Sequence, residues 1–263
     1  MGAHMRRDTL RLISWNVGGR VKKNPDQAEA LAKRRPDVIA LQEVRLNALA
    51  NFQDLFPAMN LPHIIESVHL AAEHDRVYGE LIACRWPMKR ILAADAETPY
   101  PERMLSVEVN SPWGEIGLHT VHIVPGSSCG WEKIEMFEGV YRRLACESSR
   151  PRILCGDFNS PQEEIPEGQL VTWGQTVERD GTVLIKDGYD RWDTGERNVL
   201  EGLAGFDLAD VFRTLNGYDE EAFSWRVRRK GQVVAERRFD HIFASSDLNA
   251  RDANISPTYS TRV

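Results

Sequence analysis

Short apolar runs recur along this chain, and five of them stop at, or are interrupted by, a carboxylate, an amide or an imidazole. The runs are LRLISWN (10–16), PDVIALQEV (36–44), ELIACRWP (80–87), MLSVEV (104–109), EIGLHTVHIV (115–124), RILCGDFN (152–159) and RRFDHIFAS (237–245). Each is short and rich in Val, Ile and Leu, which reads as a β-strand, in places buried on both faces. Asn16 closes the first, Glu43 the second, and His122 interrupts TVHIV. Asp157 and Asn159 close ILCGDFN, and Asp240 sits inside RRFDHIF. On an extended chain residues two apart share a face, so Asp157 and Asn159 would point together. The bland alternative is an Asx turn.

Each polar residue has an ordinary explanation when taken alone. Asn16 before Gly18 and Gly19 can start a turn, and a lone strand His is usually a hydrogen-bonded core residue. Taken together they point elsewhere, because burying several ionisable groups costs kcal/mol each unless they share partners or a cation. Convergence on one pocket is the economical reading. Glu and Asn oxygens are hard ligands of the kind that suit Mg2+, which keeps several waters and shares phosphate oxygens. The chain offers no soft zinc set.

Composition narrows the class. With 263 residues, 42% hydrophobic and 27% charged, the chain has the balance of a globular protein with a substantial core, not of a disordered one. No apolar run approaches the roughly 20 residues that span a bilayer, so no transmembrane segment is expected. MGAHM (1–5) reads as an expression-tag remnant, leaving 6–263 as one expected domain. Cys84, Cys129, Cys146 and Cys155 form no CxxC pair, which favours reduced thiols and a cytoplasmic setting. A net charge of -6 argues against a surface that tracks nucleic acid everywhere, although a basic cleft is compatible with it.

Helical spacing appears between the strands. Ile134, Phe137, Tyr141 and Leu144 predict an amphipathic helix across 131–146, and shorter helices are expected at 26–34 and 207–213, the latter with Asp207 and Asp210 near its start. The stretch 163–201 is rich in Gly and charge and reads as an excursion or hairpin. Mixed strands with few helices predict an α/β fold with helices outside the sheets.

The ordered series SWN, LQEVR, YGELIACRWP, VHIVPGSSCGW, GDFNSP, FSW and RRFDHIF resembles the endonuclease/exonuclease/phosphatase superfamily, which includes deoxyribonuclease I, exonuclease III, sphingomyelinases, inositol phosphatases and deadenylases. The resemblance spans Leu10 to Ser245. It implies a four-layer sandwich, two central mixed β-sheets flanked by helices, with the site at one edge. By the same resemblance Glu43 and Asn16 match metal-site positions, with Glu43 the direct ligand to Mg2+ or a substituting Mn2+. Asp157 would orient or deprotonate the attacking water, and Asn159 would hold that group and the phosphate oxygens. His122 would stabilise developing charge or serve the leaving group, and Asp240 matches the residue that orients a further histidine. Arg45 matches a substrate-contacting arginine, with a solvated surface position as its alternative. Trp225 matches a cleft-wall aromatic, with core packing as its alternative. Glu80 could orient His122, although an edge-strand surface position is the stronger expectation.

The family usually ends in a Ser-Asp-His element, and none follows Asp240 here: Ser246-Asp247 is followed by Leu248, and His241 lies on the opposite strand face from Asp240. Either the chain stops before its last strand, which is the favoured expectation, or it departs from the pattern. Two functions follow. The first is a Mg2+-dependent phosphoesterase, a phosphodiesterase or nuclease acting on a phosphate-ester substrate, nucleic acid among the choices. The alternative is a catalytically impaired or non-catalytic phosphate-ligand-binding module. Substrate choice is expected to lie in loops 17–25, 125–131, 160–200 and 226–236, the last carrying the basic stretch RVRRKGQ.

Overall fold

The computed structural model describes residues 9–71, 78–92, 98–165 and 168–255, so the expected tag remnant and the last eight residues lie outside them. The first sheet contains β1 (Leu12–Asn16), β2 (Val38–Arg45), β3 (His63–Glu66) and β4 (Tyr78–Cys84), in the order β1-β2-β4-β3. The second contains β5 (Met88–Arg90), β6 (Met104–Ser111), β7 (Gly114–His122), β8 (Arg152–Asp157), β13 (Ala209–Asp210) and β16 (Asp240–Ala244), ordered β13-β16-β8-β7-β6-β5. Three hairpins lie outside the sheets: β9 (Glu163–Ile165) with β10 (Gln169–Val171), β11 (Gln175–Val177) with β12 (Val183–Ile185), and β14 (Trp225–Arg229) with β15 (Gln232–Arg237).

Each sheet has one parallel pair, β1 with β2 and β7 with β8. Parallel neighbours need a crossover, and helices supply it. The first crossover carries α1 (Asn24–Arg34), with Pro25 in its first turn and Arg35 left-handed at its end. The second carries α3 (Gly126–Cys129) and α4 (Glu132–Leu144). Helix α2 (Leu49–Ala58) joins α1 over the first sheet, and α5 (Asp190–Leu200) packs beside α4 over the second, with α6 (Val211–Asn216) near the β13 edge.

Strand alternation sorts side chains into three apolar layers. In β2, Ile39 and Leu41 face outward with Leu31, Phe52 and Phe56, while Val38 and Ala40 face inward with Leu118, Ile153 and Cys155 of the second sheet. Leu154, Val121 and Phe243 form the third layer with Ile134, Phe137 and Val199. Helices, sheet, sheet, helices is the four-layer sandwich. Among the described residues no helix is long and apolar enough to cross a membrane.

The inner layer changes character along its length. On the inward face β1 runs Leu12, Ser14, Asn16; β4 runs Cys84, Ile82, Glu80; β7 runs Leu118, Thr120, His122; β8 runs Ile153, Cys155, Asp157; and β16 runs Ala244, Ile242, Asp240. One end of the interface is therefore greasy and the other polar. Gln42 Nε2 marks the transition, donating to Ser14 Oγ at 3.2 Å and to Thr120 Oγ1 at 2.9 Å across the two sheets.

Four expectations need correction. The 163–201 stretch holds two hairpins and then the full helix α5, which its charged sequence concealed. The helix expected at 207–213 is Val211–Asn216; Asp210 caps it by accepting from the Arg213 N–H, whereas Asp207 lies outside, left-handed at φ 59° after a short 3-10 turn. The expected strand 80–87 stops at Cys84 as the end of β4, and the separate β5 begins only at Met88. Finally, β4 is internal because β3 covers it, so Glu80 is fully buried and not on an edge surface.

Candidate active site

The polar end of the inner layer brings the sequence candidates together. In the second sheet His122 pairs in register with Asp157, and Asp157 with Asp240, so three polar residues stand side by side on adjacent strands. The first sheet adds Asn16 and Glu43. Glu43 sits where the β2–β4 register breaks between Leu41 and Val44, at φ 56°. An irregularity of this kind re-aims a side chain that strict alternation would send outward.

Asn16 joins the two sheets. Its Nδ2 donates to Glu43 Oε1 at 3.0 Å and to Asp157 Oδ2 at 2.9 Å, while its Oδ1 accepts from the Gly18 N–H at 2.9 Å. In this orientation Asn16 positions the two carboxylates with its nitrogen, and its oxygen is committed to the backbone. Gly19, at φ 61°, lets the following loop pass close: a Cβ there would stand 2.4 Å from the Tyr78 ring.

Asp157 Oδ1 accepts from the Asn159 N–H at 2.9 Å, which is an Asx turn, so the turn and the cluster coexist. Asn159 is left-handed at φ 48° and its Nδ2 donates to Ile123 O at 2.8 Å. It reaches the site through this turn, not through strand alternation. Its carbonyl accepts from Lys133 Nζ at 2.9 Å and from Trp173 Nε1 at 3.0 Å. Lys133 is fully buried and pairs with the equally buried Glu196 at 2.9 Å. Glu196 also accepts from Trp192 Nε1 at 2.8 Å and from the Trp173 N–H at 3.0 Å. This support was missed in the sequence. The available signal was a lysine four residues before Phe137, in phase with the apolar stripe of α4.

Electrostatics mark the cluster as unfinished. Burial, then the neighbouring Asp240 carboxylate, pushes Asp157 up to about 8, with Glu43 adding to the effect. Burial likewise raises Asp240, whose N–H and that of Phe239 both donate to Ser224 Oγ at 3.0 Å. His122 is buried, with Nε2 3.5 Å from Glu43 Oε1 and Nδ1 2.7 Å from Arg103 Nη1. Burial, and then Arg103, holds its imidazole down to about 3, so it is neutral. Three acids therefore face mostly neutral donors. Hard carboxylate oxygens short of positive charge fit a divalent cation. Among the described residues no group of three or more His, Cys, Asp or Glu side chains forms a complete metal cage. Mg2+ held by one or two carboxylates, with water completing its shell, suits such a set.

The remaining candidates form the surroundings. Arg45 is half-buried, donating to Tyr78 Oη at 3.0 Å with its guanidinium 5.2 Å from that ring, at the loop holding Gly19. Trp225 is half-buried on Phe239, next to Asp240, with rings 5.2 Å apart. The Arg237 guanidinium lies between Trp225 and Trp173, 5.6 and 5.0 Å from their centres. Glu80 accepts from Thr120 Oγ1 at 3.1 Å behind the cluster, and burial holds its carboxyl well above the usual range. The His122 ring bonds to Arg103, and Glu80 bonds to Thr120. His241 points away, held by Asp210 at 3.0 Å and Ser160 O at 2.9 Å and stacked on Phe243.

Comparison with known proteins agrees with this architecture. Exodeoxyribonuclease III of Haemophilus influenzae is 25% identical over 269 residues, covering 94% of this chain and 91% of its own. An AP endonuclease from Archaeoglobus fulgidus superposes with a TM-score of 0.63 at 15% identity, over 91% of this chain and 88% of that one. D. rerio TDP2, complexed with single strand DNA product, gives 0.60 at 18% identity, over 94% and 87%. The Endonuclease/Exonuclease/phosphatase family matches residues 13–261. By that match the chain belongs to the endonuclease/exonuclease/phosphatase family, which makes it a nuclease, phosphodiesterase or phosphatase.

Proposed function

We propose that this chain is a divalent-cation-dependent phosphodiesterase that hydrolyses nucleic-acid phosphodiesters, with Mg2+ as its cation and Mn2+ as a substitute. The observation that carries the reading is the Asn16 amide bridging Glu43 and Asp157 between the two sheets, with His122 and Asp240 next in register. An ordinary fold has no need for three acids gathered at one end of its core. Glu43, partly open to solvent, would hold the cation with Asp157 beside it. When bound, the cation neutralises charge on the phosphoryl and leaving oxygens.

The protein's own groups do the positioning. Asp157, fixed by Asn16 and by the Asn159 N–H, orients the attacking water and accepts its proton. Asn159, anchored through Ile123 O and its own carbonyl, holds the phosphoryl oxygens near that water. His122 stands on the Glu43 side of Asp157, where charge develops. Desolvation, and then the neighbouring Asp240 carboxylate, keep Asp157 basic. Nucleic acid is favoured as substrate by the nucleases among the relatives and by the Trp225, Arg237 and Trp173 group, which offers flat rings and a cation beside Asp240.

The test is hydrolysis of bis(p-nitrophenyl) phosphate and of single-stranded, double-stranded and abasic oligonucleotides with Mg2+ or Mn2+, by wild type, Glu43→Gln and Asp157→Asn. Cleavage lost in both variants is expected. Retained cleavage in either variant, or binding of oligonucleotide with no turnover by wild type, overturns the reading.

A further inference from the structure

We propose that Arg103 is a positioning residue that fixes the tautomer of His122, so that His122 presents an N–H to the reacting phosphate instead of a lone pair. This rests on the phosphodiesterase reading above. Met104 pairs with Val121, so Arg103 is the next residue opposite His122 across the β6–β7 ladder. Its Nη1 lies 2.7 Å from His122 Nδ1. A guanidinium carries only donors and stays protonated, so Nδ1 at that distance is the acceptor. A neutral imidazole that accepts at Nδ1 holds its proton at Nε2. Nε2 is the nitrogen turned toward the carboxylate cluster, 3.5 Å from Glu43 Oε1.

Arg103 is itself held. Its guanidinium lies 5.4 Å from the Tyr100 ring centre and 5.9 Å from that of Tyr78, and its Nε is 3.8 Å from Glu102 Oε1. A carboxylate in the same place would accept from an Nδ1–H and leave Nε2 free to take a proton. Arg103 selects the reverse. To give up its Nε2 proton, a neutral His122 would have to become an imidazolate, so it stabilises charge on a phosphoryl or leaving oxygen as a neutral hydrogen-bond donor. The proton for the leaving group then comes from elsewhere, with water as its source.

The tautomer can be read directly. Long-range 1H–15N spectra of histidine-labelled protein at neutral pH, with His122 assigned by its loss in His122→Gln, are expected to show an unprotonated Nδ1 and a protonated Nε2. Arg103→Met should move the ring toward Nδ1–H and lower kcat about 100-fold, while adding little to the loss already caused by His122→Gln. Arg103→Lys should keep the Nε2–H form and recover part of kcat; if the Met variant fails to fold, this variant and the wild-type spectrum still decide. An Nδ1–H or doubly protonated ring in the wild type, or an unchanged tautomer in Arg103→Met with only KM raised, would overturn the proposal. The spectra need no turnover, so absence of hydrolysis by the wild type would refute the functional reading separately.

Discussion

Replacing Asp157 with Asn should abolish hydrolysis and yet stabilise the cation-free protein. Asp157 moves from an ordinary 3.8 to about 8 because it is desolvated, although half-buried by exposure, and stands beside the Asp240 carboxylate. A folded value above the unfolded one means that the native state binds the extra proton between these limits, so stability falls as pH rises from about 4 to about 8 and levels off above. At about 1.4 kcal/mol per pH unit the ionised carboxylate costs up to about 6 kcal/mol. Asn removes that charge but must set its amide nitrogen against one of two donors, Asn16 Nδ2 or the Asn159 N–H, returning about 1–2 kcal/mol as a mismatched hydrogen bond. The expected net gain in chelator is at most about 4–5 kcal/mol at about pH 9, vanishing or reversing near pH 4. Urea denaturation of both proteins across this range gives the answer. Equal or lower stability of Asp157→Asn at the alkaline end, or a difference that does not grow with pH, would refute the electrostatic account of the site.

Three further outcomes follow from the same geometry. Lys133→Met should destabilise by about 3–5 kcal/mol in urea denaturation, because it leaves Glu196 charged and buried, and adding Glu196→Gln should recover most of the loss. Trp225→Ala should raise KM for a single-stranded oligonucleotide about 10-fold with kcat little changed in steady-state kinetics, the size of one lost base stack. Mg2+ binding followed by calorimetry should release protons and weaken as pH falls below about 8, since protons and the cation compete for the raised Asp157 carboxyl.

Legibility in the sequence followed burial. The central strands were readable because both their faces are covered, which makes them continuous apolar runs, and a polar residue at the end of such a run has to be accounted for. That logic singled out Asn16, Glu43 and Asp157 at the ends of apolar runs, and His122 and Asp240 as interruptions within them, before any topology was known. It failed where charge is buried. Helix α5 hides Asp193 and Glu196 among its buried positions, paired with Arg197 and Lys133, and buried charges erase the apolar period that would reveal a helix. Glu80 was misplaced because HIIE was not read as a strand, and without β3 the strand it covers looks like an edge. Asn159 shows the limit of alternation: it lies beside Asp157 through a left-handed turn whose hydrogen bonds no spacing rule specifies. The hold of Arg103 on His122 depends on register between two strands, which the sequence does not announce.

Anomalous diffraction from Mn2+-soaked crystals addresses the central claim most directly. The strongest manganese peak should lie at the Glu43 carboxylate, next to Asp157, and disappear in Glu43→Gln. A dominant peak remote from these two residues, or no peak at a concentration that supports hydrolysis, would contradict the account.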